Sequence, residues 1–247
     1  MISPLEQFEI VSLLPFRTET FDLSITNSSI YLFVAFGIIV SIFSSTLYRT
    51  LYLPGAWQTL LEDIYIFITD LISQNCGTKG QQYFPFFFVL FSFLLICNLI
   101  GMLPYSFTVT SHIAITLTLS FTIWIGVTLI GLYRHGFHFF HLFVPSGCPA
   151  ALLPVIVVIE FISYVVRAIS LGVRLFANMM SGHTLLKILA GFSFQIAAIG
   201  GLLSIASSIP VLLVVIITGL EIGIACLQAY VFTILSIMYL NDAINLH

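Results

Sequence analysis

The sequence predicts an all-α integral membrane protein: one transmembrane helix, one amphipathic surface helix, a transmembrane hairpin, and two long steeply tilted helices forming an antiparallel hairpin. Three observations carry this reading. Of 247 residues, 60% are hydrophobic and only 7% charged, against about 25% charged in a soluble domain. Mean hydropathy is +1.14. The apolar runs reach about 20 residues or more, enough for a helix to cross about 30 Å of hydrocarbon and longer than the strands of a membrane barrel.

The first span is Ser28 to Tyr48, without a charge until Arg49. Pro54-Gly55 breaks the chain. From Ala56 to Asn75, Leu60, Leu61, Ile64, Phe67, Ile68 and Leu71 fall at helical spacing, while Glu62, Asp63, Thr69 and Asp70 fall mostly elsewhere. That pattern fits an amphipathic helix lying on the membrane, or one packed on a soluble partner. Phe84 to Leu103 and Val109 to Leu132 are two further spans, and the link Pro104 to Phe107 makes them a hairpin. Tyr133 to Gly147 reads as a loop carrying His135, His138 and His141. Their spacing allows a metal site, but no carboxylate or cysteine is nearby, so an interfacial histidine cluster is the plainer reading.

From Pro149 to about Leu240 the chain is almost continuously apolar. Two helices of roughly 40 residues would each run about 60 Å, twice the hydrocarbon thickness. They must tilt, bend or break. Pro154 and Pro210 are candidate kinks and Gly200-Gly201 a candidate turn.

Composition excludes other classes. Net charge is −3 with no basic tail, against nucleic-acid binding. Glu6, Glu9, Glu19 and Asp22 outnumber Arg17 near the N-terminus, the wrong sign for a signal or transit peptide. The four cysteines form no C-x-x-C pair, and Cys97 and Cys226 read as packing residues. Counting Lys and Arg puts Arg49, Lys79 and Arg134 on one side and only Arg17 on the other, so the N-terminus is expected outside and the C-terminus inside.

The ionisable residues in the last two helices carry the functional argument. Arg174 sits deep in an apolar run with only Glu160, Arg167, His183 and Lys187 as other acidic or basic groups. A guanidinium stays charged at any ordinary pH. At bilayer depth it costs about 2.5–3.5 kcal/mol even on the lenient scale. Glu160, Arg167, Arg174 and Ser181 recur every seven residues, as do Glu221, Gln228 and Asp242 with Leu235 between, so each helix carries one polar stripe. An antiparallel hairpin folded at Gly200-Gly201 would set Glu160 against Asp242, Arg174 against Gln228 and Ser181 against Glu221.

In that register Glu160 and Asp242 cluster toward the inner side, and His183 and Glu221 toward the outer side. Carboxylate and imidazole bind and release protons when their surroundings tune them; an arginine does not. Two proton-accessible pockets separated by a fixed positive barrier form an offset path. A third group must carry the proton round Arg174, and it should come from a moving partner. Gly219 and Gly223, with Ala225 and Ala229, and Ala168, Gly172, Ala177 and Gly182 on the other helix, fit either a partner surface or ordinary close packing. Lys187 is compatible with interfacial snorkelling. Arg167 either neutralises Glu160 or anchors lipid, and Asp242 is either functional or a solvated terminal residue.

The segments SPLEQFEI, CNLIGMLPYSFTVTSH (97–112), GLYRHG (131–136), RAISLGVRLFANMMSGH (167–183), LEIGIACLQAYVF (220–232) and YLNDAINLH resemble subunit a of rotary ATP synthases in its mitochondrial form, over essentially the whole chain. The resemblance implies a non-catalytic stator subunit beside a rotating ring of c subunits, coupling proton flow to ATP synthesis. It also implies peripheral-stalk and other membrane-sector partners, and the mitochondrial inner membrane. By the same resemblance, Arg174 matches the family's essential arginine. Asn98, His183, Glu221 and Gln228 match the outer half-channel, Glu160 and Asp242 the inner one, and Asn178 and Arg167 supporting positions. Some relatives hold a metal through a second histidine one turn after His183; here that residue is Lys187, so no metal and no cofactor are expected. His183 with Glu221 suits protons better than sodium. The Ser3 start resembles a mature end, with little or no propeptide expected.

Three other classes remain open to the residues alone. A haem-bearing electron-transfer subunit would need paired histidines on facing helices, and only His112 and His183 qualify. A secondary transporter usually carries internal repeats, and a purely structural assembly subunit would leave the buried charges without a role.

Overall fold

Among the described residues, the long apolar runs become helix. The computed structural model describes residues 4–15, 24–48, 55–103, 106–143, 153–199 and 207–245. The helices are α1 (Asn27–Tyr48), α2 (Ala56–Cys76), α3 (Phe84–Gly101), α4 (Ile113–His135), α5 (Leu153–Ile199) and α6 (Ser208–Ile244). Five stretches among the described residues are long and apolar enough to cross a membrane. At 1.5 Å per residue the 47 residues of α5 run about 70 Å, more than twice a hydrocarbon core.

Four local expectations are corrected. Pro154 and Pro210 are not kinks: each lies in the first turn of its helix, where the missing N–H has no intrahelical partner to lose. The stretch from Tyr133 is not all loop, because α4 continues to His135 and a 3-10 helix follows over Gly136–Phe143. Gly136 makes that break at φ 55, a left-handed conformation that glycine adopts without a Cβ clash. A short two-stranded ribbon, β1 (Ser12–Leu14) against β2 (Ile25–Thr26), precedes α1 and was not anticipated. Cys226 is exposed, not packed, while Cys97 is buried. Gly200-Gly201 lies outside the described residues.

The chain forms two compact units. One comprises Met1–Val40, Phe93–His112 and Leu175–Ala229; the other Ser41–Ser92, Ile113–Arg174 and Tyr230–His247. In the first, the end of α3 packs on α6: Asn98 is fully buried and its Nδ2 donates to the Ala225 carbonyl at 3.2 Å. Ala225 and Ala229 are themselves wholly buried, so the short side chains admit the neighbouring backbone.

In the second unit, α2 buries Ile68, Leu71, Ile72 and Cys76, one stripe at helical spacing, and leaves Leu60 and Phe67 exposed. The Cys76 thiol donates to the Ile237 carbonyl at 3.5 Å. Helix α4 buries Thr116, Ser120, Ile123, Val127 and Gly131 on one face. Ser120 Oγ donates to the Ala168 carbonyl. Gly172 lies so near α4 that a Cβ there would stand 3.0 Å from the Thr116 carbonyl oxygen. Ala168, Gly172, Ala225 and Ala229 therefore serve packing within the chain, whereas Gly219 and Gly223 face open space. The packing use that the sequence left open thus holds for those four, while Gly219 and Gly223 meet no neighbour among the described residues.

A direct test follows from the Gly172 contact. Backbone cannot move aside as a flexible side chain can, so Gly172→Val is expected to cost about 1–3 kcal/mol, the usual range for overpacking. A lowered unfolding midpoint of the purified complex would register it; an unchanged midpoint would mean that α4 and α5 are looser than this contact requires.

Candidate functional site

In the first unit, α5 and α6 bring together four of the polar residues. Glu221 and Gln228 lie on the buried face of α6, 7% and 4% exposed. Opposite them on α5, Asn178 Nδ2 donates to Gln228 Oε1 at 2.8 Å. Gly182 faces Glu221, and a Cβ at Gly182 would approach Glu221 Oε1 to 2.8 Å. The absent side chain is what lets the carboxylate lie there. Neither Glu221 carboxylate oxygen has a hydrogen-bond partner among the described residues. That is an unusual condition, since buried polar atoms are nearly always paired.

His183 stands one residue beyond Gly182. Its Nε2 lies 3.2 Å from Thr108 Oγ1, and the Phe8 ring meets its imidazole edge-on at 6.5 Å between centroids. The Thr108 hydroxyl is also 3.4 Å from the Gly101 carbonyl, to which it donates. Two cavities meet at this imidazole. One, of about 190 Å³, is lined by Asn178, Ser181, His183 and Glu221 among others. A second, of about 790 Å³, is lined by Gln7, Asn27, Tyr31, Ser106, His183 and Lys187 among others. Lys187 thus borders a cavity shared with His183. Thr108 and Phe8 were not singled out in the sequence. The only signal for Thr108 was the hydroxyl-rich TVTSH stretch ending the hairpin link.

The second unit gathers the other acidic pair. Arg167 NH2 is 3.8 Å from Glu160 Oε1, and Arg167 NH1 is 3.5 Å from Asp242 Oδ2. Arg167 joins the two carboxylates, which the sequence set directly against each other. All three side chains are about 43–44% exposed, so the pairs are worth about a kcal/mol or less as stability. Their importance is positional: one cation holds two acids within reach of one another. Tyr164 OH, nearby on α5, is 2.8 Å from Thr128 Oγ1.

Arg174 is different. It is exposed and makes no ion pair among the described residues. The buried stripe of α5 runs through Ala168, Leu171, Leu175 and Met179. At 3.6 residues per turn, Arg174 lies roughly 120° round the helix from that stripe. Ser170, Ala177 and Ser181 are likewise exposed, so the arginine has short side chains at i−4, i+3 and i+7.

The facing residues differ from the expected register. Gln228 bonds Asn178 where Arg174 was expected, a shift of four positions, and Glu221 faces Gly182 instead of Ser181, a shift of one. Asp242 reaches Arg167 instead of Glu160, a shift of seven. Helix α5 stops at Ile199 and α6 starts at Ser208, and the three observed pairs are all displaced in the same direction from the expected register. The histidine pair required for haem is otherwise engaged: His183 meets Thr108, and His112 stacks on Phe107 at 5.1 Å.

Comparison with known proteins identifies the family of the chain as a whole. Residues 29–241 match the family model described as ATP synthase A chain. ATP synthase subunit a of Chondrus crispus is 51% identical over 245 residues, covering 99% of this chain and 97% of that protein. That of Marchantia polymorpha is 49% identical, covering 99% of both. The bacterial protein of Rhodospirillum rubrum is 47% identical over 247 residues, covering 100% of both. With a buried acid at Glu221, an exposed arginine that makes no ion pair among the described residues, and near end-to-end similarity on one chain, this protein belongs to the ATP synthase subunit a family.

Proposed function

We propose that this chain conducts protons through two offset half-channels to and from the carboxylates of a rotating c-ring, so that proton flow drives ATP synthesis. The observation that carries the proposal is the division of its ionisable groups. His183 and Glu221 border cavities in one unit, Glu160 and Asp242 share Arg167 in the other, and Arg174 is exposed with no counter-ion among the described residues.

A proton enters from the outer side through the cavity bordered by Gln7, Asn27 and Lys187 and reaches His183 and Glu221. Asn98, Gln228 and Asn178 hold the helices that frame this pocket. The ring carboxylate takes the proton there, loses its charge and can move into lipid. Returning protonated on the inner side, it gives its proton toward Glu160 and Asp242, which Arg167 holds together, and the ionised carboxylate is then drawn to Arg174. Arg174 does not relay a proton itself and thus prevents direct passage. Each proton brings about 2.3 kcal/mol per 100 mV of membrane potential. Helices as long as α5 and α6 lie steeply tilted against the ring, since upright they would exceed the bilayer. The peripheral stalk and other membrane-sector subunits hold the chain against the torque. The Lys and Arg bias supports an N-terminus on the intermembrane-space side and a C-terminus on the matrix side of the mitochondrial inner membrane.

Sidedness tests this. In a cysteine-free background, His183→Cys is expected to react with a membrane-impermeant thiol reagent added from the outer side, and Glu160→Cys from the inner side. Labelling of both positions from one side only would overturn the two-pocket arrangement.

A further inference from the structure

A groove formed by the end of α1 with α2 and α3 stands apart from every group invoked above. All of its lining lies in the second unit. It measures about 420 Å³, within the range of about 300–1,000 Å³ usual for small-ligand pockets. Three aromatic rings border it: Phe43 from α1, Tyr65 from α2 and Phe88 from α3. Phe88 is central, with its centroid 5.4 Å from Phe43 at 47° and 6.1 Å from Tyr65 at 69°. Glu62 also lines the groove. Gln58 Nε2 donates to Glu62 Oε1 at 2.8 Å, which orients the carboxylate. No described lining residue is basic.

Each feature selects the same chemistry. Aromatic faces carry the negative part of the ring quadrupole, and rings set at open angles surround a cation better than a stacked pair. A carboxylate adds a full negative charge. Apolar walls disfavour a strongly hydrated ion. A weakly hydrated ammonium satisfies all three conditions, and quaternary ammonium groups are the ligands such aromatic cages recognise. The source follows from the supporting helices. α1 and α3 lie in the candidate membrane spans, and the exposed Val89 and Phe86 extend an apolar wall from the groove.

We propose that this groove binds the ammonium headgroup of a zwitterionic phospholipid, with phosphatidylcholine the preferred ligand and its acyl chains along α3. The bound lipid would hold α2 against α1 and α3. The proposal rests on the chain being a membrane protein and not on the half-channel reading.

The purified complex would be placed in vesicles containing a photoactivatable phosphatidylcholine or a matching phosphatidylglycerol, and adducts mapped by peptide mass. The choline probe is expected to label peptides around Phe43 or Glu62–Tyr65 at least about fivefold more than the glycerol probe, the weight of one solvent-exposed cation–π contact. Tyr65→Leu and Glu62→Gln should each lower choline labelling roughly fivefold while leaving glycerol labelling and ATP-driven pumping unchanged. Equal labelling by both probes, or indifference to both substitutions, would reduce the groove to a non-selective lipid contact and overturn the proposal. Carbodiimide coupling of Glu62 to a lysine of another subunit would overturn it too, by identifying the occupant as protein.

Discussion

Replacing Arg174 with alanine is expected to abolish ATP-driven proton pumping while leaving the complex assembled. The two halves of this expectation rest on different physics. Arg174 is exposed, outside the buried stripe of α5, with no ion pair among the described residues. Its truncation removes no core contact, and such substitutions usually stay within about ±0.5 kcal/mol. Removing a cation that costs about 2.5–3.5 kcal/mol at bilayer depth pushes stability upward, if anywhere.

Function should move the other way. A ring carboxylate about 4 Å from a guanidinium gains about 4 kcal/mol at an effective dielectric of 20, which is roughly a thousandfold in rate or occupancy. Without that attraction, the ionised ring carboxylate has no partner on this face and the barrier between the pockets is gone. Proton uptake by vesicles bearing the purified complex, driven by ATP hydrolysis, measures this, with assembly checked by subunit content. Arg174→Lys separates charge from shape: it keeps the charge but not the planar fork of donors, so recovery with lysine would mean that charge alone suffices. Full coupling with alanine would make Arg174 structural and reopen the transporter and scaffold readings.

The helices were legible because charges and Pro-Gly steps punctuate them. Arg49 and Pro54-Gly55 bracket the end of α1 and the start of α2, and length alone marks α5 and α6. What failed to be legible depends on tertiary neighbours. A proline in an apolar run signals a kink or a first turn equally, and only where the helix starts decides; Pro154 and Pro210 are starts. A glycine or alanine signals close approach without saying to what, so Gly172 and Ala225 were indistinguishable from Gly219 and Gly223. The seven-residue lattice correctly marked Glu221 and Gln228 as sharing a face of α6, but a lattice has no origin. Its origin came from Gly200-Gly201, and the observed Asn178–Gln228 and Arg167–Asp242 pairs lie four and seven positions from that register. Arg167 bridging Glu160 and Asp242 was half legible: the pairing within α5 follows from spacing, while the reach across to α6 depends on the shifted register.

Glu221→Gln should be the second most damaging substitution, and it distinguishes a proton carrier from a packing residue. The side chain is 7% exposed, and both carboxylate oxygens lack a hydrogen-bond partner among the described residues. Glutamine keeps the shape and cannot ionise. Were Glu221 only filling space, the exchange would be neutral or stabilising, because an unmade hydrogen bond to a buried polar group costs about 1–3 kcal/mol and more for a charged one. If it carries protons, pumping should fall about a hundredfold or more, the contribution of a positioned acid or base, with the thermal midpoint unchanged or raised. Gly182 supplies an independent arm. Its Cβ would stand 2.8 Å from Glu221 Oε1 and 2.9 Å from Cδ, so Gly182→Ala displaces the carboxylate without touching its chemistry. Activity should fall part of the way. Shortening the acid in the Gly182→Ala/Glu221→Asp double variant returns the room and should recover activity relative to Gly182→Ala alone, a coupling that independent sites would not show. Loss of activity that is merely additive would mean that Gly182 acts elsewhere. Wild-type pumping by Glu221→Gln would remove Glu221 from the proton path altogether.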